Sequence, residues 1–305
     1  MSVYLPIANM SVNAIIMILL GGGVGLLSGM FGVGGGFLTT PLLIFYGIPP
    51  TVAAASASTQ VTGASISGVI AHWRREGVDV QMGSVLVVGG IFGSMVGAVL
   101  FRLLQSVGQI DTVISLLYVV MLSSIGGLMA RDAVRSLSAS RTGAPLPRRS
   151  RNHHPLVAAL PLRWRFYRSG LYISPLAPLL LGFITGILTL LLGVGGGFIM
   201  VPAMIYLLGM AARVVVGTSL FQILFVTAMT TMIHALTTKA VDIVLAGLLL
   251  IGGVVGAQIG ARLAMRLQPE KLRLMLAIIV LLVAGRMLIG LGWQPDQIYS
   301  VDSIS

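Results

Sequence analysis

Two polar pairs interrupt an otherwise apolar chain, Ser56 with Gln60 and Thr218 with Gln222. Within each pair the residues lie four apart and so share one face of a helix. A hydroxyl and a carboxamide placed together can bond an oxyanion passing along that face, or can bond a neighbouring helix. Ser219, beside Thr218, is a further candidate of the same kind. Four ionisable residues form a second set, His72 with His234 and Asp79 with Asp242. They could carry a proton or couple an ion, and they could equally cap helix ends, since aspartate suits a helix start and histidine a helix finish. A third set is backbone rather than side chain: Gly34, Gly35, Gly36 and Phe37, repeated as Gly195, Gly196, Gly197 and Phe198. A helix that begins near Phe37 or Phe198 presents unpaired N–H groups and a positive dipole end, which suits an anion.

Other chemistries fail on geometry or context. Ser219 and His234 resemble a nucleophile and its base, but on one helix fifteen positions separate them by about 22 Å, far beyond hydrogen-bond reach. No His, Asp and Glu cluster has metal-ligand spacing, and His153-His154 sits among arginines. The Gly32-x-Gly34 spacing is not a dinucleotide fingerprint, because no strand precedes it and apolar segments surround it. The chain has no cysteine and no phosphate-binding Gly-x-x-x-x-Gly-Lys-Ser/Thr loop. No cofactor and no enzymatic activity are expected.

The elements that position these residues are membrane helices. Of 305 residues 56% are hydrophobic and 9% charged, and the mean hydropathy is +1.01, which excludes a soluble globule. The bilayer is therefore a partner. The net charge of +11 comes mostly from arginines in loops, without the interleaved aromatics of a nucleic-acid surface. Apolar segments are predicted at 12–29, 37–46, 52–71, 82–104 and 110–130, then at 176–192, 198–208, 214–236, 241–263 and 272–291. Those at 37–46 and 198–208 are too short to span. Met1 to Asn13 reads as a retained segment rather than a signal peptide. Between the two sets, residues 131–170 hold nine arginines and four prolines and form a linker, whose stretch 156–167 is expected along the headgroups with Trp164 and Phe166 turned inward. Trp73, Trp164 and Trp293 all fall at expected interfaces.

The second set repeats the first. The glycine motif and its closing proline, Pro41 or Pro202, are displaced by 161 positions, Ser56 and Gln60 by 162, and Asp79 with Gly89, Gly93 and Gly97 by 163. The four-residue glycine stripes suit close helix packing. Three successive glycines instead destabilise a helix by about 1 kcal/mol each, so the motif marks a break. Placing the linker in the cytoplasm puts sixteen of nineteen cations on that side, with both termini outside. Five segments per half then force opposite insertion. The expected fold is an all-α integral membrane protein of two inverted five-segment repeats, 1–130 and 171–305, with about ten spanning or half-spanning helices and paired re-entrant breaks. Arg286, about five residues inside the last segment, can snorkel or bind an anion.

Gly25 through Phe37, the two prolines, Gly217-Thr218-Ser219-Leu220 and Gly252-Gly253-x-x-Gly256 resemble the sulfite exporter TauE/SafE family of membrane permeases. The resemblance covers both halves but not the linker. It implies gradient-driven export of small sulfur-containing anions, sulfite or organosulfonates, across the bacterial inner membrane. In this chain Ala55-Ser56-Ala57-Ser58 replaces the Gly-Thr-Ser turn of the second half, so the halves are expected to contribute unequally to a site. A channel or a carrier of another solute, and a membrane-embedded enzyme or scaffold, are the alternatives.

Overall fold

The computed structural model describes residues 2–31, 35–74, 76–142, 164–264 and 269–292. Most of the linker, from 143 to 163, and Trp293 lie outside the described residues. Among them are ten α-helices and two short hairpins, so the chain is an all-α membrane protein. The first half holds strands β1 (Ser2–Leu5) and β2 (Met10–Asn13), then α1 (Ala14–Phe31), α2 (Gly36–Phe45), α3 (Pro50–Trp73), α4 (Val80–Ser106) and α5 (Ile110–Thr142). The second repeats that order with β3 (Trp164–Phe166), β4 (Leu171–Ile173), α6 (Leu176–Leu192), α7 (Gly197–Tyr206), α8 (Ala212–Ile233), α9 (Ile243–Ala264) and α10 (Pro269–Gly292). Among the described residues five stretches are long and apolar enough to cross a membrane, 80–106, 110–132, 214–238, 243–260 and 274–291. The half-helices α2 and α7 have ten residues each, about 15 Å of axis, half of what a span requires.

The structure goes beyond the expected segments at the hairpins and at α5. Trp164 and Phe166 belong to a strand paired antiparallel with Leu171–Ile173, and residues 156–163 of the stretch expected along the headgroups lie outside the described residues. Phe166 is buried and Trp164 exposed. The first half opens with the same device, Ser2–Leu5 paired with Met10–Asn13, which seals Leu5 and Val12 beneath it. Helix α5 continues twelve residues past the expected linker boundary to Thr142. Its apolar run ends near Ala130, but Arg131 to Thr142 contains no proline or glycine, so nothing stops the helix where hydrophobicity stops.

The halves do not pack as separate bodies. Helix α1 lies along α9, α4 along α6, α5 against α10 and α3 against α8, each pair joining one half to the other. The glycine stripes explain the first two. A Cβ on Gly93 would sit 2.0 Å from the Phe183 carbonyl oxygen, and one on Gly256 2.0 Å from that of Gly22. Backbone therefore touches backbone, as small residues permit when lipid supplies no hydrophobic drive for association. The counterpart helices α3 and α8 run antiparallel, because Thr59 bonds Thr231 while Thr62 bonds Thr227.

Replacing Gly93 by Ala is expected to force α4 from α6 and to destabilise the protein by about 1–3 kcal/mol. Gly247→Ala, where a Cβ meets nothing within 4 Å, should be neutral or slightly stabilising. Thermal unfolding in detergent checks the pair; equal midpoints would refute backbone contact at Gly93.

Candidate functional site

The two chain breaks meet inside the bundle. Helix α6 ends at Gly193, whose φ of +70 is the left-handed conformation that closes helices. No other residue fits there, since a Cβ would lie 2.1 Å from the Ala54 carbonyl oxygen of α3. The chain then passes Gly195 and Gly196, both at φ +74, before α7 begins at Gly197. On the other side α2 begins at Gly36, where a Cβ would stand 2.7 Å from the Gly193 oxygen and 2.9 Å from that of Val194. Gly34 lies outside the described residues. The next residues, Phe37 and Phe198, are buried and stack face to face, centroids 4.4 Å apart and planes 3° from parallel. Both half-helices thus point their N-termini at one region, where the first-turn N–H groups of each have no intrahelical acceptor.

The carbonyls at the end of α6 find side-chain donors from three other helices. Thr40 of α2 donates to the Leu192 oxygen at 3.1 Å, Tyr118 of α5 donates to the same oxygen, and His234 Nε2 lies 2.9 Å from the Leu190 oxygen. His234 heads a π-helical turn, His234–Thr238, that follows α8. Its Nδ1 faces the Thr238 hydroxyl at 3.1 Å, and Phe101 covers the ring edge-on. Thr40 and Tyr118 were not singled out from sequence; a hydroxyl inside an apolar segment was the available signal.

The polar pairs divide between structure and site. Ser56 Oγ accepts the Asp242 N–H at 3.1 Å, and Thr218 Oγ1 accepts the Asp79 N–H at 2.9 Å, so each ties its helix to the opposite half. The aspartates cap α4 and α9: Asp79 Oδ1 accepts from Met82 N at 3.0 Å, and Asp242 Oδ1 from Val244 N and Leu245 N at 3.1 Å. Their second oxygens hold the hairpins, Asp79 through Ser169 N at 2.9 Å and Asp242 through Ile7 N at 3.1 Å. Ser219 donates to its own helix at the Val216 oxygen. His72 lies at the last turn of α3, partly buried beside Gly217, away from the breaks.

The two glutamines differ. Gln60 Oε1 accepts from Thr39 of the half-helix α2 at 2.9 Å, while its Nε2 packs on Gly253. Gln222 occupies the matching place, with Nε2 against Gly90, but the residue matching Thr39 is Met200. Both amide atoms of Gln222 are consequently buried without a hydrogen-bond partner among the described residues. The neighbouring Ile223 packs against Gly195 of the second break.

The profile described as sulfite exporter TauE/SafE matches residues 17–287. A probable membrane transporter protein of Bacillus subtilis (strain 168), YjnA, is 30% identical over 283 residues, 92% of this chain and the whole of that protein. A probable membrane transporter protein of Xylella fastidiosa (strain Temecula1 / ATCC 700964) is 28% identical, covering 90% of this chain and 95% of its own. Sulfite exporter TauE/SafE family protein 3 of Arabidopsis thaliana is 31% identical over 94 residues, 30% of this chain and 20% of that protein. No solved structure matches the chain.

Asp242→Ala removes a helix cap and the anchor of the first hairpin together, and is expected to destabilise by about 1–3 kcal/mol. Limited proteolysis should then cut near Ile7 sooner than in the parent protein. Unchanged cleavage would mean that the carboxylate does not hold the hairpin.

Proposed function

Since this chain belongs to the sulfite exporter TauE/SafE family of membrane transporters, we propose that it is a secondary transporter exporting small sulfur-containing oxyanions, sulfite or an organosulfonate, by alternating access. The observation that carries this reading is the unpaired Gln222 amide, on the residue before Ile223, which packs on Gly195 of the second break. Leaving such an amide unbonded in a dry interior costs about 1–3 kcal/mol, which a ligand offering the missing bonds would recover. Nε2 donates to an oxyanion, and Oε1 accepts from a protonated oxygen such as hydrogen sulfite carries. Two helix N-termini supply positive potential, and no cation is buried among the described residues to hold the anion too firmly to leave.

The substrate region comprises the described motif residues Gly35, Gly36, Phe37, Gly195, Gly196, Gly197 and Phe198 with Gln222, while Gln60, Ser56, Thr218 and Ser219 frame it. The stacked rings of Phe37 and Phe198 form the partition between two access paths. The antiparallel run of α3 and α8 supports opposite insertion of the halves 1–130 and 171–305. The arginine bias supports a cytoplasmic linker 131–170 with both termini outside, in a bacterial inner membrane. His234, buried where α6 ends, is the candidate for proton coupling closest to the second break; His72, Asp79 and Asp242 are more peripheral candidates.

Uptake into proteoliposomes of sulfite, organosulfonates, sulfate and carboxylates, with and without a pH gradient, tests the reading. Gln222→Leu should lower sulfite uptake at least about tenfold, the loss of roughly 1.4 kcal/mol of binding, with an unfolding midpoint no lower than the parent's. Gln60→Leu strands the Thr39 hydroxyl and should instead lower the midpoint. Parental uptake by the Gln222 variant would sink the site, and an absence of flux for every anion in the panel would sink the function.

A further inference from the structure

A second place in the molecule has the chemistry of an anion site, away from the breaks. A cavity of about 520 Å³ opens where α2 ends, α3 and α5 begin and α10 approaches its finish. Its walls include Phe45, Asp111, Thr112, Ser115, Arg286 and Gly290. Arg286 is the one charged residue in the apolar stretch 274–291 of α10, about 9 Å of helix axis before Gly292. A cation at that depth is costly, and such residues ordinarily find a carboxylate or a carbonyl. Arg286 has neither among the described residues; its guanidinium lies over the Phe45 ring, 5.4 Å from the centroid.

The same cavity holds a carboxylate, Asp111, which forms no ion pair with Arg286 among the described residues. The ring face of Phe45 engages the guanidinium through its π cloud and leaves the in-plane N–H fork open. That fork matches the oxygens of a planar or tetrahedral oxyanion, and Thr112 and Ser115 add hydroxyl donors in the same space.

We propose that this cavity is an oxyanion subsite, taking sulfonate or sulfite, at the outer mouth of the transport path. The placement rests on the transporter reading above. Helix α2 joins the two sites: Phe37 stacks at the break and Phe45 lies beneath Arg286, eight residues and about 12 Å along the same axis. At the other mouth the matching residue is Tyr206, which donates to Asp132. The exposed fork of Arg286 holds the anion as it leaves the breaks and releases it to water.

The chain has no cysteine, so Ser115→Cys gives a single probe. In delipidated, detergent-solubilised protein, Cys at 115 should react faster with an anionic sulfonate-bearing methanethiosulfonate reagent than with its quaternary ammonium analogue, after correction for intrinsic rates. Adding R286Q should lower that ratio by about tenfold, and R286K should keep most of it. Methanesulfonate should slow the labelling when Arg286 is present. Absent labelling, a ratio indifferent to R286Q, or protection by phosphatidylglycerol but not by methanesulfonate would each overturn the subsite, the last by making a lipid phosphate its occupant. If R286Q does not fold, protection by methanesulfonate in the Arg286 protein decides. Labelling reads the cavity alone, so a chain that carries no anion in proteoliposomes yet shows the charge-dependent ratio retires the transport reading and leaves the anion site standing.

Discussion

A helix that stops inside hydrocarbon leaves carbonyl and amide groups that lipid cannot bond, and the interior of this protein is arranged around that constraint. The last carbonyls of α6 are met by Thr40, Tyr118 and His234, from three helices that are distant in sequence. Each of these donors must be brought to the break by the packing of its own helix. The amides at the starts of α2 and α7 are treated differently. No side chain caps either half-helix, so side chains meet the carbonyl side of the interruption and none caps its amide side.

The glycine stripes bring the donors there. With backbone against backbone along α1 and α9, and along α4 and α6, the helices approach closely enough that α3 and α8 are clamped between the two pairs. The threonines of α3 and α8 then bond each other across the crossing, Thr62 to Thr227 at 2.8 Å. Close approach and polar bonding act together here, since a hydroxyl pair reaches across only when no bulky side chain separates the backbones.

Much of this was legible in the sequence, and the parts that were not have physical reasons. Helix order, both half-helices and the packing stripes follow from apolar length and from glycine spacing, which are local properties. The pairing of helices across halves is not local, and nothing in the period of α1 names α9 as its neighbour. The hairpins were missed because four-residue strands such as Met10–Asn13 carry too short an alternation, and because the hairpin polar groups answer to aspartates in the other half. Ser56 and Gln60 share a helix face as their spacing requires, yet one braces a helix start and the other meets Thr39; identical spacing does not fix identical duty. The difference between Gln60 and Gln222 turns on a residue outside either pair, methionine at 200 where the first half has Thr39. That asymmetry is written in the sequence, but its meaning requires knowing that the two side chains touch.

The hairpin anchors also bear on how the chain is made. Ile7 bonds Asp242, 235 residues later, while Ser169 bonds Asp79, already ninety residues behind it. During synthesis toward the C-terminus the second hairpin can dock as soon as it emerges, but the first must wait until Asp242 has been made. Contacts of such sequence separation form late. Until then the leading hairpin and the glycine face of α1 stay uncovered in the bilayer. A chain arrested before α9 therefore lacks both the aspartate that anchors the leading hairpin and the helix that lies along α1.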